Sequence, residues 1–185
     1  MKKLSAWVLL SLSAVMAFAA TPPLPETLPP HEFNQVFASV GDELFIAGQP
    51  TEQGLRELKA AGVTTVVNLR TGFEMDDRNI VPFDEAALLD ELGMTYVHIP
   101  SGGPDTPYSA AMVERFAAVL DHADGKVLLH CTVAWRASHL YTAYLHRYLG
   151  LTLSEAVQHG RRINLGNLPL EGFLGSSIEF RVTEE

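Results

Sequence analysis

Polar and apolar positions change period several times along this chain, and each change marks an element. Phe33–Gly48 holds two short alternating runs around Gly41-Asp42, predicting two strands, the second Leu44–Ala47. In TEQGLRELKAAG, Leu55 and Leu58 share a face, predicting a helix with Thr51 as N-cap and Gly62 as its stop. VTTVVNLR is a β-branched run, the pattern of a strand buried on both faces. A helical pattern over Phe83–Leu92 stops at Gly93, and MTYVHIP reads as a strand ended by Pro100. SGGPDTP is a loop. Thr106, with Pro107 at the first helical position, then opens a helix whose Val113, Phe116, Ala117 and Leu120 form one stripe. KVLLH is a further strand, followed by a helix over Arg136–Leu149 that ends at Gly150. Thr152 and Glu155 make a capping-box pattern for a last helix that stops near Gly160. Strands alternating with helices predict a single α/β domain with a central, mostly parallel sheet flanked by helices. Ligands of such sheets bind at the carboxyl ends of strands, beside helix N-termini.

The N-terminal pattern is different. Lys2-Lys3, an apolar stretch over Leu4–Phe18 and the small residues of Ala17-Phe18-Ala19 read as a leader, 1–19, cleaved after Ala19. The stretch is short for a bilayer span, which needs about 20 residues. Thr21–Pro30 has five prolines in ten residues, so 20–32 is expected to be an extended arm ahead of a catalytic domain over 33–185. These features predict a periplasmic or secreted protein without stable membrane insertion.

The formal charge of −9 becomes −11 once Lys2 and Lys3 are removed. That acidity argues against nucleic acid or an anionic membrane as partner and leaves a small anionic substrate or phosphorylated ligand. The single cysteine, Cys131, excludes an intramolecular disulfide, so its thiol is expected to be buried or used. His139 and His146 are seven apart and form no ligand pair, so no metal or other cofactor is expected.

The chemistry concentrates in KVLLHCTVAWRAS. A strand ends at His130-Cys131 and a helix begins close to Arg136, with four residues between Cys131 and Arg136. Successive N–H groups of Thr132, Val133, Ala134 and Trp135 can converge on one anion, with the helix dipole adding to the field. Thiols in such places are thiolates at neutral pH, with precedents at pKa of about 3.5–7.5. Arg136 can grip an oxyanion with two donors, and His130 is placed to hydrogen-bond loop carbonyls. These are the requirements for attack by sulfur on phosphorus or on another sulfur.

His-Cys, a short loop and an arginine opening a helix resemble the signature of the protein tyrosine and dual-specificity phosphatase superfamily. AGQPTEQGLRELKAAGVTTVVNLR and YVHIP resemble the flanking blocks of its bacterial phosphatase-like domain, the type also fused to β-lactamase-like hydrolases. The resemblance runs from about Phe33 to Leu170. It implies a cysteine-phosphatase fold with Cys131 as nucleophile, Arg136 and the loop N–H groups as oxyanion site, and Asp105 as general acid. It further implies that Ser138 assists departure of the thiolate. Asp105 can equally shape its turn. Arg70 is placed either to assist the substrate or to form a surface ion pair with the acidic EMDD stretch. Arg161 and Arg162 are read as partners of a helix C-terminus.

Two departures keep alternatives open. Typical phosphatase loops place five residues before the arginine, and rhodanese-type sulfurtransferases place four, so a Cys131 persulfide enzyme is one alternative. The loop glycine usual in the family is replaced by Ala134, whose expected positive φ costs on the order of 1 kcal/mol, and Trp135 is bulky. A non-catalytic phosphoanion-binding module is the other alternative.

Overall fold

The computed structural model describes residues 21–166 and 170–179. The expected leader, 1–19, lies outside the described residues, as do residues 180–185. Three strands open the chain: β1 (Glu26–Leu28), β2 (Phe37–Val40) and β3 (Leu44–Ala47), each antiparallel to the next. Gly41, at φ 57°, makes the turn between β2 and β3. The parallel part follows, with β4 (Val63–Asn68), β5 (Thr95–His98) and β6 (Lys126–His130). The sheet order is β1-β2-β3-β6-β4-β5, so β6 runs between β3 and β4 and is parallel to both. The arm expected over 20–32 supplies the edge strand β1, with Glu26 opposite Ser39 and Leu28 opposite Phe37.

Alternation along the central strands sorts side chains onto two faces. Val66 and Leu128 point to the face covered by α1 (Glu52–Ala60) and α3 (Glu85–Glu91), where they meet Leu55, Leu58, Leu88 and Leu89. Val67, Val127 and Leu129 point to the opposite face. There they pack with α4 (Ala110–His122), α5 (Trp135–Tyr148), α6 (Leu153–Arg161) and α7 (Leu170–Leu174), through residues such as Phe116, Leu140, Ala156 and Phe173. Thr51 caps α1 as expected, and Thr152 and Glu155 form the expected capping box of α6. Arg161 and Arg162 lie exposed at the end of α6.

Two boundaries differ from expectation in ways that bear on the site. α4 starts at Ala110 behind Ser109, not at Thr106-Pro107. The reason is a closed loop: Gly102 N–H donates to Thr106 O at 2.8 Å and Thr106 N–H donates to Gly103 O at 3.2 Å. A short helix, α2 (Gly72–Asp76), occupies the stretch after β4, where no helix is expected. Among the described residues no helix is long and apolar enough to cross a membrane.

Candidate active site

The turn between β6 and α5 is Cys131–Ala134, and Ala134 takes the left-handed conformation at φ 61°, ψ 4°. Carbonyls of this turn and of the first residue of α5 are occupied. Thr132 O accepts from Gln49 N–H at 3.0 Å, Val133 O from the Asn164 amide at 2.7 Å, and Trp135 O from the Ser138 hydroxyl at 2.8 Å. Trp135 and Arg136 open α5, where backbone N–H groups have no intrahelical acceptor and the positive end of the dipole adds to their field. Cys131 is 1% exposed and shares the Leu129 side of the sheet.

Arg136 is tied down from several directions. Nη2 donates to Glu74 Oε1 at 2.7 Å and Nη1 to Glu74 Oε2 at 2.8 Å. Nη1 also donates to Ser101 O at 2.9 Å, and Nη2 to Thr132 Oγ1 at 2.9 Å. The Thr132 hydroxyl in turn donates to Glu74 Oε1 at 3.0 Å. Glu74 is presented by α2, where Thr71 and Glu74 form a capping box and Thr71 N–H donates to Oε2 at 2.8 Å. Burial alone would raise the Glu74 pKa. The Arg136 hydrogen bonds and charge, with Thr71 N–H and the Thr132 hydroxyl, overcome it and hold the carboxyl at about 2. Burial works against the charge of Arg136 as well, but the Glu74 hydrogen bonds and the negative field of Cys131 and Glu74 push its pKa up. The pair is ionised throughout the neutral range.

Arg70 is expected at the surface if it pairs with the acidic stretch. It does meet that stretch, at 3.4 Å between Nε and Glu74 Oε1, yet it is only 2% exposed. Arg70 is buried rather than at the surface because its Nη1 donates to Gln49 Oε1 at 2.9 Å, which holds the side chain inward. Together with Gln49 and Thr132 it lines a cleft of about 590 Å³.

His130 does not hydrogen-bond the loop carbonyls. Strand alternation puts it on the Leu128 side, away from Cys131, and its Nε2 meets Glu85 Oε1 at 3.0 Å. Asn68, on the same face, donates to Glu85 Oε1 at 2.9 Å, and Gln49 donates to Oε2 at 2.8 Å. Glu85 is ionised: burial would raise its pKa, but His130 and the two amides lower it. Nε2 of His130 carries the hydrogen that meets Glu85, while Nδ1 is buried without a partner among the described residues. The network thus connects the residue before the cysteine to α3 and, through Gln49, to Arg70.

Asp105 lies exposed on the loop after β5, where with Glu74, Thr71 and Phe73 it lines a cavity of about 560 Å³. Ser138 is buried, and its hydroxyl proton is directed to Trp135 O, so service to the sulfur requires a change of partner. Trp135 leans on His139, with ring centroids 5.9 Å apart, and stands beside Gly166, forming a side wall rather than crossing the loop. Thr132, Val133 and Ala134 make the loop itself. Glu74, Glu85, Gln49, Asn68 and Tyr108 escape a reading of the sequence alone. For Glu74 a signal exists: Thr71-x-x-Glu74 is a capping-box pattern that places the acid one turn beyond the strand.

A profile described as "DSP-PTPase phosphatase fused to NAD+ Kinase" matches residues 34–170. No functionally curated protein matches the sequence. A DUF442 phosphatase candidate from Shewanella putrefaciens CN-32 is 32% identical, with 72% of this chain and 84% of that chain covered and a TM-score of 0.55. A cysteine-to-serine variant of P. aeruginosa TpbA in complex with pTyr shares the fold at 18% identity, covering 84% and 96% of the two chains, with a TM-score of 0.54. PTPMT1 in complex with PI(5)P shares it at 15% identity, covering 72% and 89%, with a TM-score of 0.60. A match over about three-quarters of the sequence, on a fold that brings Cys131 and Arg136 to the two ends of one strand-to-helix loop, shows that the chain belongs to the DSP-PTPase family of phosphatases.

Proposed function

We propose that this phosphatase hydrolyses phosphate monoesters through a cysteinyl-phosphate intermediate. The observation that carries the reading is the loop: a buried cysteine at the end of β6, a left-handed Ala134, and Arg136 at the N-terminus of α5. Glu74 occupies both Nη atoms of Arg136, which leaves Nε and the backbone N–H groups opening α5 as donors for phosphoryl oxygens. In the first step the Cys131 thiolate forms a bond to phosphorus, the ester P–O bond breaks, and the leaving oxygen takes a proton from Asp105. In the second, water attacks phosphorus, the S–P bond breaks, and Asp105 accepts the water's proton. Inorganic phosphate leaves and the thiolate is restored. Ser138 serves the departing thiolate by turning its hydroxyl from Trp135 O.

The ligands seen with TpbA and PTPMT1, a phosphoaryl group and a phosphoinositide, support a phosphorylated ligand without selecting its body. The leader over 1–19 supports a periplasmic or secreted enzyme, which N-terminal sequencing of the protein from fractionated cells tests. The reaction is tested by steady-state hydrolysis of an aryl phosphate by the reduced mature protein beside Cys131→Ser. Turnover that disappears in the variant is expected. No turnover together with gain of one sulfur atom in mass after thiosulfate would replace this reading with sulfur transfer, and phosphate binding with neither activity would replace it with a binding module.

A further inference from the structure

The loop after β5 delivers a second side chain toward Arg136. Because the loop closes at Thr106, α4 begins only after Ser109, and Tyr108 lies between them with its hydroxyl beside Gly102. Its hydroxyl and the Arg136 stem both approach Gly102. A β-carbon built at Gly102 would meet Tyr108 Oη at 2.6 Å and Arg136 Cδ at 3.5 Å. Gly102, at φ +90°, is the gap that lets the two groups approach.

The ring is held from behind. Phe173 of α7 packs on it with centroids 4.9 Å apart, and a β-carbon at Gly172 would come within 2.7 Å of Tyr108 Cβ. Oη itself makes no hydrogen bond among the described residues, although the site around it is dense with polar groups. A hydroxyl with fixed direction, a rigid ring and an unmet bond beside a guanidinium is a prepared donor.

Resting on the phosphatase reading, we propose that Tyr108 is a substrate-binding residue whose hydroxyl donates to a phosphoryl oxygen held at Arg136. Burial raises the Tyr108 pKa. Arg136 opposes that rise and the negative field of Cys131 and Glu74 adds to it, so the group stays a protonated donor across any neutral or mildly alkaline assay. Its contribution is therefore to grip rather than to proton transfer.

Tyr108→Phe keeps the ring on Phe173 and removes only the donor. The expected result is a rise of about tenfold in both the KM for an aryl phosphate and the inhibition constant of inorganic phosphate, the loss of one hydrogen bond to a charged group. kcat and the thermal midpoint stay within about twofold and a few degrees of wild type. Unchanged KM and phosphate inhibition would overturn the proposal, as would a loss confined to kcat. Calorimetric binding of inorganic phosphate separates this from failure of the hydrolysis itself. A wild type that binds phosphate without turnover sinks the hydrolysis, while the Tyr108→Phe comparison on binding still decides the hydroxyl. A wild type that binds no phosphate overturns both.

Discussion

Glu74 and Arg136 form a two-point pair, with Nη2 to Oε1 at 2.7 Å and Nη1 to Oε2 at 2.8 Å. Two parallel hydrogen bonds fix the plane of a guanidinium, not only its position. The orientation of the guanidinium that we propose grips the oxyanion is thus set by a residue on a separate helix. The Glu74 charge also balances Arg136, so the local positive field comes chiefly from the helix N-terminus and the neighbouring Arg70.

The first prediction concerns acid. The Glu74 pKa of about 2 in the fold lies below the 4.5 of an unperturbed glutamate. A lowered folded pKa means stability present above the unfolded value and lost as pH falls through the folded one. The Glu74 contribution is therefore complete above about pH 5 and disappears between about pH 4.5 and 2. The difference corresponds to at most roughly 3 kcal/mol, less some screening because 23% of the side chain meets solvent. Denaturant unfolding across that window should show a shallower acid slope for Glu74→Gln than for wild type. Parallel slopes would mean the pair contributes nothing to folding.

A second prediction follows from Glu85, which gathers His130, Asn68 and Gln49 around one buried carboxylate. Glu85→Ala leaves two buried polar groups, His130 and Asn68, and the half-buried Gln49 without this acceptor and is expected to cost about 3–5 kcal/mol. Glu85→Gln retains one oxygen acceptor and should cost less. A loss below about 1 kcal/mol for the alanine variant, from denaturant midpoints at constant m, would show that water or rearrangement replaces the carboxylate.

Much of this architecture is legible in residue order. β-branched and apolar runs locate β3, β4 and β6, and Thr51 and Thr152 announce helix starts through local capping chemistry that needs no tertiary context. The cysteine and arginine are legible because one short loop contains both. Glu85 is not, because its partners lie 17, 36 and 45 residues away in sequence and only sheet register assembles them. The same register explains His130: adjacency to Cys131 in sequence is opposition across the sheet in space. Tyr108 stays hidden because a proline after Thr106 favours a helix start, and the closure of Gly102 on Thr106 outweighs that preference.

The third prediction concerns Ala134, held at φ 61° where a Cβ is strained. Glycine removes a penalty of about 1–2 kcal/mol and adds unfolded-state entropy of about 0.5–1 kcal/mol. Ala134→Gly is therefore expected to hold or raise the thermal midpoint and to retain phosphate binding. A β-branched residue there is strained further and, the site being fully buried, also crowded, so Ala134→Val should lose about 2 kcal/mol or more. Equal midpoints for the glycine and valine variants would show that this backbone relaxes.

The last prediction separates two roles of Asp105. A turn-shaping aspartate would hold its loop through its carboxylate, whereas the bonds that close this loop are backbone to backbone, Gly102 N–H to Thr106 O and Thr106 N–H to Gly103 O. The carboxylate is exposed and shares its cavity with Glu74, the partner of Arg136. Asp105→Asn should therefore leave the thermal midpoint within a few degrees of wild type. A general acid matters most when the leaving group is basic. Hydrolysis of an alkyl phosphate should then fall by about 10²–10⁴-fold, and hydrolysis of a nitrophenyl phosphate, whose oxygen leaves readily without a proton, should fall far less. Equal losses on both substrates would assign Asp105 to binding, and a drop in midpoint with no leaving-group dependence would assign it to the turn. Glu74, at a pKa of about 2 and engaged by Arg136, is deprotonated in the working range and is a poor substitute for Asp105 as an acid.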